Sequence, residues 1–275
     1  MSPQRKKITA EISLLAKQIA ANVQDADTTI KIPNSDWTVG DMTAHLIISQ
    51  QIISSVLTGK KNQHVAATKD FIEEANHNLS REYIAGLNKK FLSHFSQRDG
   101  SMLAELLLKE TESSLKDMHK FSDTHMVNTH FGRFNLIMLL RYCLTHYLIH
   151  SSTIAKTLKQ QLPITNENTS LIIPFIKIAM VRLYDKKAAK NFNGNFVFAI
   201  KEVQTFSLFC KPNGVTVSDS LPLSLDCSLS MDALTFFLVS NGYLSQWRAL
   251  MFGTISLGGK KPWLALKLST LFRGL

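Results

Sequence analysis

The sequence predicts an α+β chain: an antiparallel four-helix bundle over residues 1–165, then an α/β domain with a mainly antiparallel sheet over residues 166–275. Three observations predict it. Apolar residues recur every three or four positions through the first 160 residues, with no alternating stretch among them. After residue 165 the pattern turns to short, aromatic-rich alternations broken by Asn-Gly and Gly-Gly steps. The charge shifts too: residues 1–165 hold 19 basic and 15 acidic side chains, whereas residues 166–275 hold 12 and 6.

In the first part, Ile8, Ile12, Leu15, Ile19 and Val23 mark one face of a helix over residues 5–24. Residues 25–37 form a polar connector. Thr38-Val39-Gly40-Asp41 fits a capping box, in which Thr38 covers free amides and Asp41 reaches back to Thr38. The helix so opened runs from Val39 to about Leu57 and stops at Gly59, with Lys60 and Lys61 beside its negative end. Residues 59–78 read as a polar loop with room for one short helix. Helical spacing resumes from Ser80 to about Phe95, and again from Met102 to about Lys120 after a break at Asp99-Gly100. Ser122 to Arg133 is polar and reads as loop. A long helix from about Asn135 to Leu158 ends before Pro163.

Residues 161–170 have the composition of a linker. Beyond them, Leu171–Asp185 is a helix with Pro174 in its first turn. The run Phe192–Ile200 alternates as a strand. Phe206–Cys210 and Val215–Val217 flank a turn centred on Asn213-Gly214 and make a hairpin. Leu223–Leu229 alternates again. A helix over Met231–Ser240, capped by Ser230, a strand over Phe252–Leu257 and an amphipathic helix over Pro262–Phe272 complete the pattern.

Apolar residues make up 45% of the 275, enough for a packed core. The net charge of +10 suits a surface that attracts anions. Its basic residues are dispersed, without the runs or Arg/aromatic interleaving of a nucleic-acid face, so no nucleic-acid partner is expected. Cys143, Cys210 and Cys227 are odd in number and lack metal or redox spacing, which points to a reducing cytoplasm. Arg5-Lys6-Lys7 leads into an amphipathic pattern rather than a signal sequence, and no apolar stretch is long enough for stable membrane insertion. A monomer or homodimer is expected. The glycine and serine patterns of phosphate loops, dinucleotide folds and serine hydrolases do not occur.

The chemistry rests on histidines. Of the nine, His64, His77, His94, His119, His125 and His130 fall in loops or on polar helix faces and read as solvated. His146 and His150 stand four apart in a strongly apolar helix, so both imidazoles share one face. That spacing supplies half of a divalent-metal site, and it equally suits two core histidines with satisfied hydrogen bonds. His45 lies among Met42, Leu46 and Ile48 in the second helix, where an inward imidazole needs a partner or a metal. Three inward histidines from two facing helices would leave a metal open on one side, the pattern of a catalytic ion. Arg141, a turn and a half before His146, is a candidate anion contact and equally a salt-bridging residue.

Trp37-Thr38-Val39-Gly40-Asp41-Met42-Thr43-Ala44-His45-Leu46 resembles the W-[ST]-V-x-D-x-x-x-H-L segment of the DinB-like metalloproteins, in the form found in mycothiol-dependent maleylpyruvate isomerases. The resemblance spans residues 5–160. It implies that His45 is a metal ligand and that His146 and His150, a hundred residues on and preceded by Phe131-Gly132-Arg133, supply two more. The isomerases typically carry an acidic residue where His146 stands and an aspartate where Thr153 stands, so this ligand set is closer to the broader DinB-like pattern. The resemblance further implies zinc or nickel, and a thiol cofactor such as mycothiol acting on a small electrophilic substrate. An arginine of the second domain would hold an acidic substrate, and Arg182, Arg248 and Arg273 are those available.

Residues 171–275 are similar to the sterol carrier protein type-two fold. The similarity is carried by the strands of 192–217, by Leu225–Leu229 leading into Ser230-Met231-Asp232-Ala233-Leu234, and by Phe252-Gly253-Thr254-Ile255-Ser256-Leu257-Gly258-Gly259. The last matches the G-x-[IVL]-x-[IVLP]-x-G strand of that fold. It implies a carrier of lipid or other apolar ligands. Phe192, Phe196, Phe198, Phe206, Phe209, Phe236 and Phe237 would either line an apolar tunnel or simply fill a small core.

Overall fold

In the computed structural model, which describes residues 1–59, 81–129 and 132–272, the chain divides into two compact units, Met1–Pro163 and the residues from Ile164 onward. The loop expected over 59–78 falls almost wholly outside the described residues, as do Lys60, Lys61, His64, His77, Ser80, His130, Phe131 and Arg273.

Helix α1 (Pro3–Gln24) starts where the Ser2 hydroxyl accepts the Arg5 amide and Pro3 occupies the first turn, a position that needs no amide donor. Its stripe of Ile8, Ile12, Leu15, Ile19 and Val23 is buried. Helix α2 (Val39–Thr58) has the expected capping box between Thr38 and Asp41, and ends at Gly59 in the left-handed conformation. Helix α3 (Arg81–Ser93) is followed by α4 (Gly100–Met118), which Asp99 caps through the Met102 amide. Helix α5 (Leu136–Thr157) is capped by Asn135.

Helices α1 and α4 run antiparallel. The Arg5 guanidinium, at the start of α1, donates to the carbonyls of Met118 and Phe121 at the end of α4 and pairs with Asp123 at 2.8 Å. At the other end Gly100 lies so close to α1 that a Cβ would strike the Val23 carbonyl oxygen. In the core, Tyr147 of α5 is fully buried and its hydroxyl meets that of Thr111 of α4 at 2.6 Å, which satisfies both.

The polar stretch read as loop contains a hairpin, β1 (Met126–Thr129) paired antiparallel with β2 (Gly132–Asn135). The alternation is only four residues long on each strand and buries chiefly Val127, Thr129 and Phe134, too short a pattern to stand out.

In the second unit α6 (Asn166–Leu183) begins five residues earlier than expected. Thr165 caps it in a box with Asn168, so residues 166–170 are helix rather than linker and Pro174 lies in the helix interior. The polar residues Asn166–Ser170 looked like linker because the cap's own chemistry is polar.

The sheet has the order β5-β4-β3-β6-β7: β3 (Gly194–Ile200), β4 (Gln204–Lys211), β5 (Gly214–Ser218), β6 (Cys227–Met231) and β7 (Ser256–Gly258). Every described pairing is antiparallel except β3 with β6. Lys211 faces Gly214, so the hairpin turn is Pro212-Asn213 and not Asn213-Gly214. Proline fixes the first turn position, and the glycine pairs in the ladder.

Helix α7 (Ala233–Ser240) is capped by Asp232, because Ser230 and Met231 are spent in β6. The segment expected as strand from Phe252 is shorter at its start, and a helix α8 (Gln246–Met251) precedes it. The closing segment is a 3₁₀ turn (Pro262–Leu264) running into a short α9 (Ala265–Leu268), not one helix to Phe272. Phe196, Phe198, Phe206 and Phe236 are buried together, Phe198 stacking on Phe206 at 5.1 Å.

Candidate metal centre

Two helices from distant parts of the sequence present the histidines. The Thr38–Asp41 box fixes the start of α2, and Arg98 Nε donates to Asp41 Oδ1 at 2.9 Å, tying that start to the segment before α4. His45 follows about two turns into α2 and is 9% exposed. His146 and His150, one turn apart on α5, face it.

His45 Nε2 lies 3.0 Å from His146 Nε2, and His150 Nε2 lies 3.0 Å from His146 Nε2. Ring centroids of the three are 4.3 to 4.9 Å apart. Among the described residues these three form the group of histidine, cysteine or acidic side chains that can hold a metal, with ligand atoms all within 4.8 Å of one another.

Burial lowers the His45 pKa to about 4 from its ordinary 6.5. It lowers that of His150 well below the ordinary value too, and the charge of His45 adds to the effect. The imidazoles of His45 and His150 are therefore neutral near pH 7, with ring nitrogens available as acceptors or ligands. His150 Nδ1 is buried with no hydrogen-bond partner among the described residues.

The indole of Trp37 packs on His45 at 5.1 Å between centroids, and the Tyr142 ring lies 6.1 Å from that of His146. Neither contact was assigned from sequence. Trp37 stands eight positions before His45, and only the folded turn into α2 brings them together. The Arg98–Asp41 pair, 57 residues apart, leaves no sequence signal at all.

Arg141 is 5% exposed. Five residues separate it from His146, which on an α-helix is about 140° around the axis. Cys143, on the same helix, is buried, which pushes its thiol up to about 12 and leaves it un-ionised at neutral pH.

The fold and site thus define a helical bundle with a half-buried histidine triad, carried in one chain with a sheet unit. The SCP-2 sterol transfer family model matches residues 179–273. Across the chain the fold is that of the mycothiol-dependent maleylpyruvate isomerase: its crystal structure aligns with a TM-score of 0.52 at 12% identity, covering 94% of this chain and 93% of that one. The crystal structure of a histidine-to-alanine mutant of that isomerase aligns with a TM-score of 0.53, at the same identity and coverage. No curated protein matches the sequence. Among the described residues no helix is long and apolar enough to cross a membrane.

Proposed function

We propose that the protein is a divalent-metal-dependent enzyme whose ion is held by His45, His146 and His150, and that it uses a low-molecular-weight thiol of the mycothiol type for isomerisation or transfer on a small electrophilic substrate. One observation carries the reading: the Nε2 nitrogens of His45 and His150 each lie 3.0 Å from that of His146, and burial keeps His45 and His150 neutral.

The residues fit an ion. Zinc–imidazole bonds of about 2.0–2.1 Å in a tetrahedron place ligand nitrogens roughly 3.3 Å apart. The rings need to part only slightly, and neutral imidazole is already the ligating form. Imidazole ligands suit zinc first and nickel also. Such an ion lowers the pKa of a thiol or water brought to it and so supplies a nucleophile near neutral pH.

The chain's own part is positioning. The caps at Thr38 and Asn135 fix the two helices, and the rings of Trp37 and Tyr142 limit the rotation of His45 and His146 and restrict water beside them. The thiol and the reaction class are supported by the fold shared with the isomerase. Three buried, unbridged cysteines accord with a reducing, cytoplasmic setting for such a thiol.

The test is metal content by mass spectrometry on protein purified without an affinity tag, compared with a His45→Ala/His150→Ala variant. About one zinc or nickel per chain, lost in the variant, supports the reading and is followed by thiol-dependent turnover of electrophiles. No metal after incubation with zinc overturns it.

The match of residues 179–273 to a sterol transfer family favours a second reading, in which the second unit binds an apolar ligand and the metal does no chemistry. Lipid extraction from the purified chain distinguishes the two.

A further inference from the structure

From Ala233 to Phe272 the chain carries Arg248, Lys260, Lys261 and Lys267 and not one acidic side chain. All four cations are exposed. Interleaved with them are large apolar side chains that the second unit leaves in solvent: Trp247 is 61% exposed, Met251 82%, Phe252 73% and Trp263 61%. Soluble surfaces carry single exposed apolar residues without consequence, but a run of aromatic ones calls for a partner.

These residues share one region. Trp247 and Met251 lie one turn apart on α8. Gln246, beside Trp247, donates its amide to the Ala265 carbonyl at 2.7 Å, which joins α8 to the segment of Trp263. The backbone amide of Lys261 donates to Asp226 at 2.6 Å, and so brings in the loop that ends at Asp226. Leu223 in that loop is fully exposed, at 111%. Asp226 itself is neutralised by Lys261 at 2.9 Å.

The shape and chemistry select among partners. Separate protrusions from three segments suit a soft surface better than a pocketed one. Tryptophan beside lysine is the pairing favoured where acyl chains meet phosphate headgroups. The absence of acidic side chains gives the face one sign of charge, complementary to anionic lipid.

We propose that this face of the second unit docks peripherally on anionic phospholipid bilayers, with Trp247, Met251, Phe252 and Trp263 entering the headgroup boundary while Arg248, Lys260 and Lys267 meet the phosphates. The inference is independent of the histidine site.

The test is flotation of the full chain with vesicles of phosphatidylcholine, with and without phosphatidylglycerol, at low and high salt. Binding is expected to the anionic vesicles, at least tenfold weaker to the neutral ones, and weakened by salt. Two variants at exposed positions probe the two contributions, each first checked for an unchanged thermal melt. Trp247→Ser/Met251→Ser/Phe252→Ser loses at least tenfold in affinity. Arg248→Gln/Lys260→Gln/Lys267→Gln keeps every apolar side chain, loses about fivefold per charge removed and flattens the salt dependence. No binding to anionic vesicles, equal binding to both kinds, or binding unchanged in either variant overturns the proposal. Lipid-free self-association abolished by the apolar variant assigns the face to a second copy of the chain and overturns it as well.

Discussion

His45 Nε2 and His146 Nε2 stand 3.0 Å apart although 101 residues separate them in the sequence. Only the packing of α2 beside α5 brings the two nitrogens together, so the site exists only in the folded bundle. Any ligand that binds there must stabilise the fold by linkage. Zinc at a hundred times its dissociation constant is expected to add about 2.7 kcal/mol to unfolding, read as a rise in melting temperature. In His146→Ala the rise vanishes. A rise that persists in the variant places zinc elsewhere.

The metal-free protein should lose stability on mild acidification. The folded pKa of His45 is about 4, and that of the unfolded residue is 6.5. Between these values the unfolded chain binds a proton that the folded chain does not, so stability rises with pH across the window and is fully present above 6.5. Falling pH removes it, and His45 accounts for roughly 3 kcal/mol at the acid end. His150 acts in the same direction. Chemical denaturation at pH 7 and pH 4.5 measures the loss, and His45→Phe should reduce it.

Trp37 is expected to report on the site. Its ring centroid is 5.1 Å from that of His45, and the other two tryptophans lie in the second unit. Nickel or copper titration should quench the Trp37 share of the fluorescence, and Trp37→Phe should abolish the change. Quenching that survives the substitution puts the ion near Trp247 or Trp263.

Arg5 fastens the ends of two helices. Its side chain is 3% exposed and donates to two carbonyls and to Asp123. Arg5→Ala leaves those acceptors without their donor and should cost about 2–4 kcal/mol in urea denaturation. Arg5→Lys keeps the charge but loses the fork, and should recover only part of the loss.

Much of this was legible beforehand, for physical reasons that differ by element. The Thr38–Asp41 box and the Ile8–Val23 stripe depend on neighbours within one or two turns, so a local pattern reports them. The i, i+4 pair His146 and His150 was visible for the same reason. What the sequence left hidden was set by tertiary packing or by competing local chemistry. The polar residues 166–170 read as linker because capping boxes and linkers draw on the same amino acids. Ser230 looked like a helix cap, but its backbone is claimed by the pairing of β6 with β3 and β7, and Asp232 takes the role. Trp37 on His45 and Arg98 on Asp41 are contacts across folded turns that no periodicity encodes.

The single parallel pairing of the sheet bears on the order in which it can assemble. The β4–β5 hairpin needs only a two-residue turn to close, whereas β3 meets β6 with Phe196 opposite Cys227 and the whole hairpin lying between them in the chain. Closing the longer loop loses more chain entropy before any contact offsets it, so the hairpin is the natural nucleus and the β3–β6 seam closes late. Strain at Pro212-Asn213 would then slow refolding more than it hastens unfolding, while truncation of Leu229 in the seam would do the reverse.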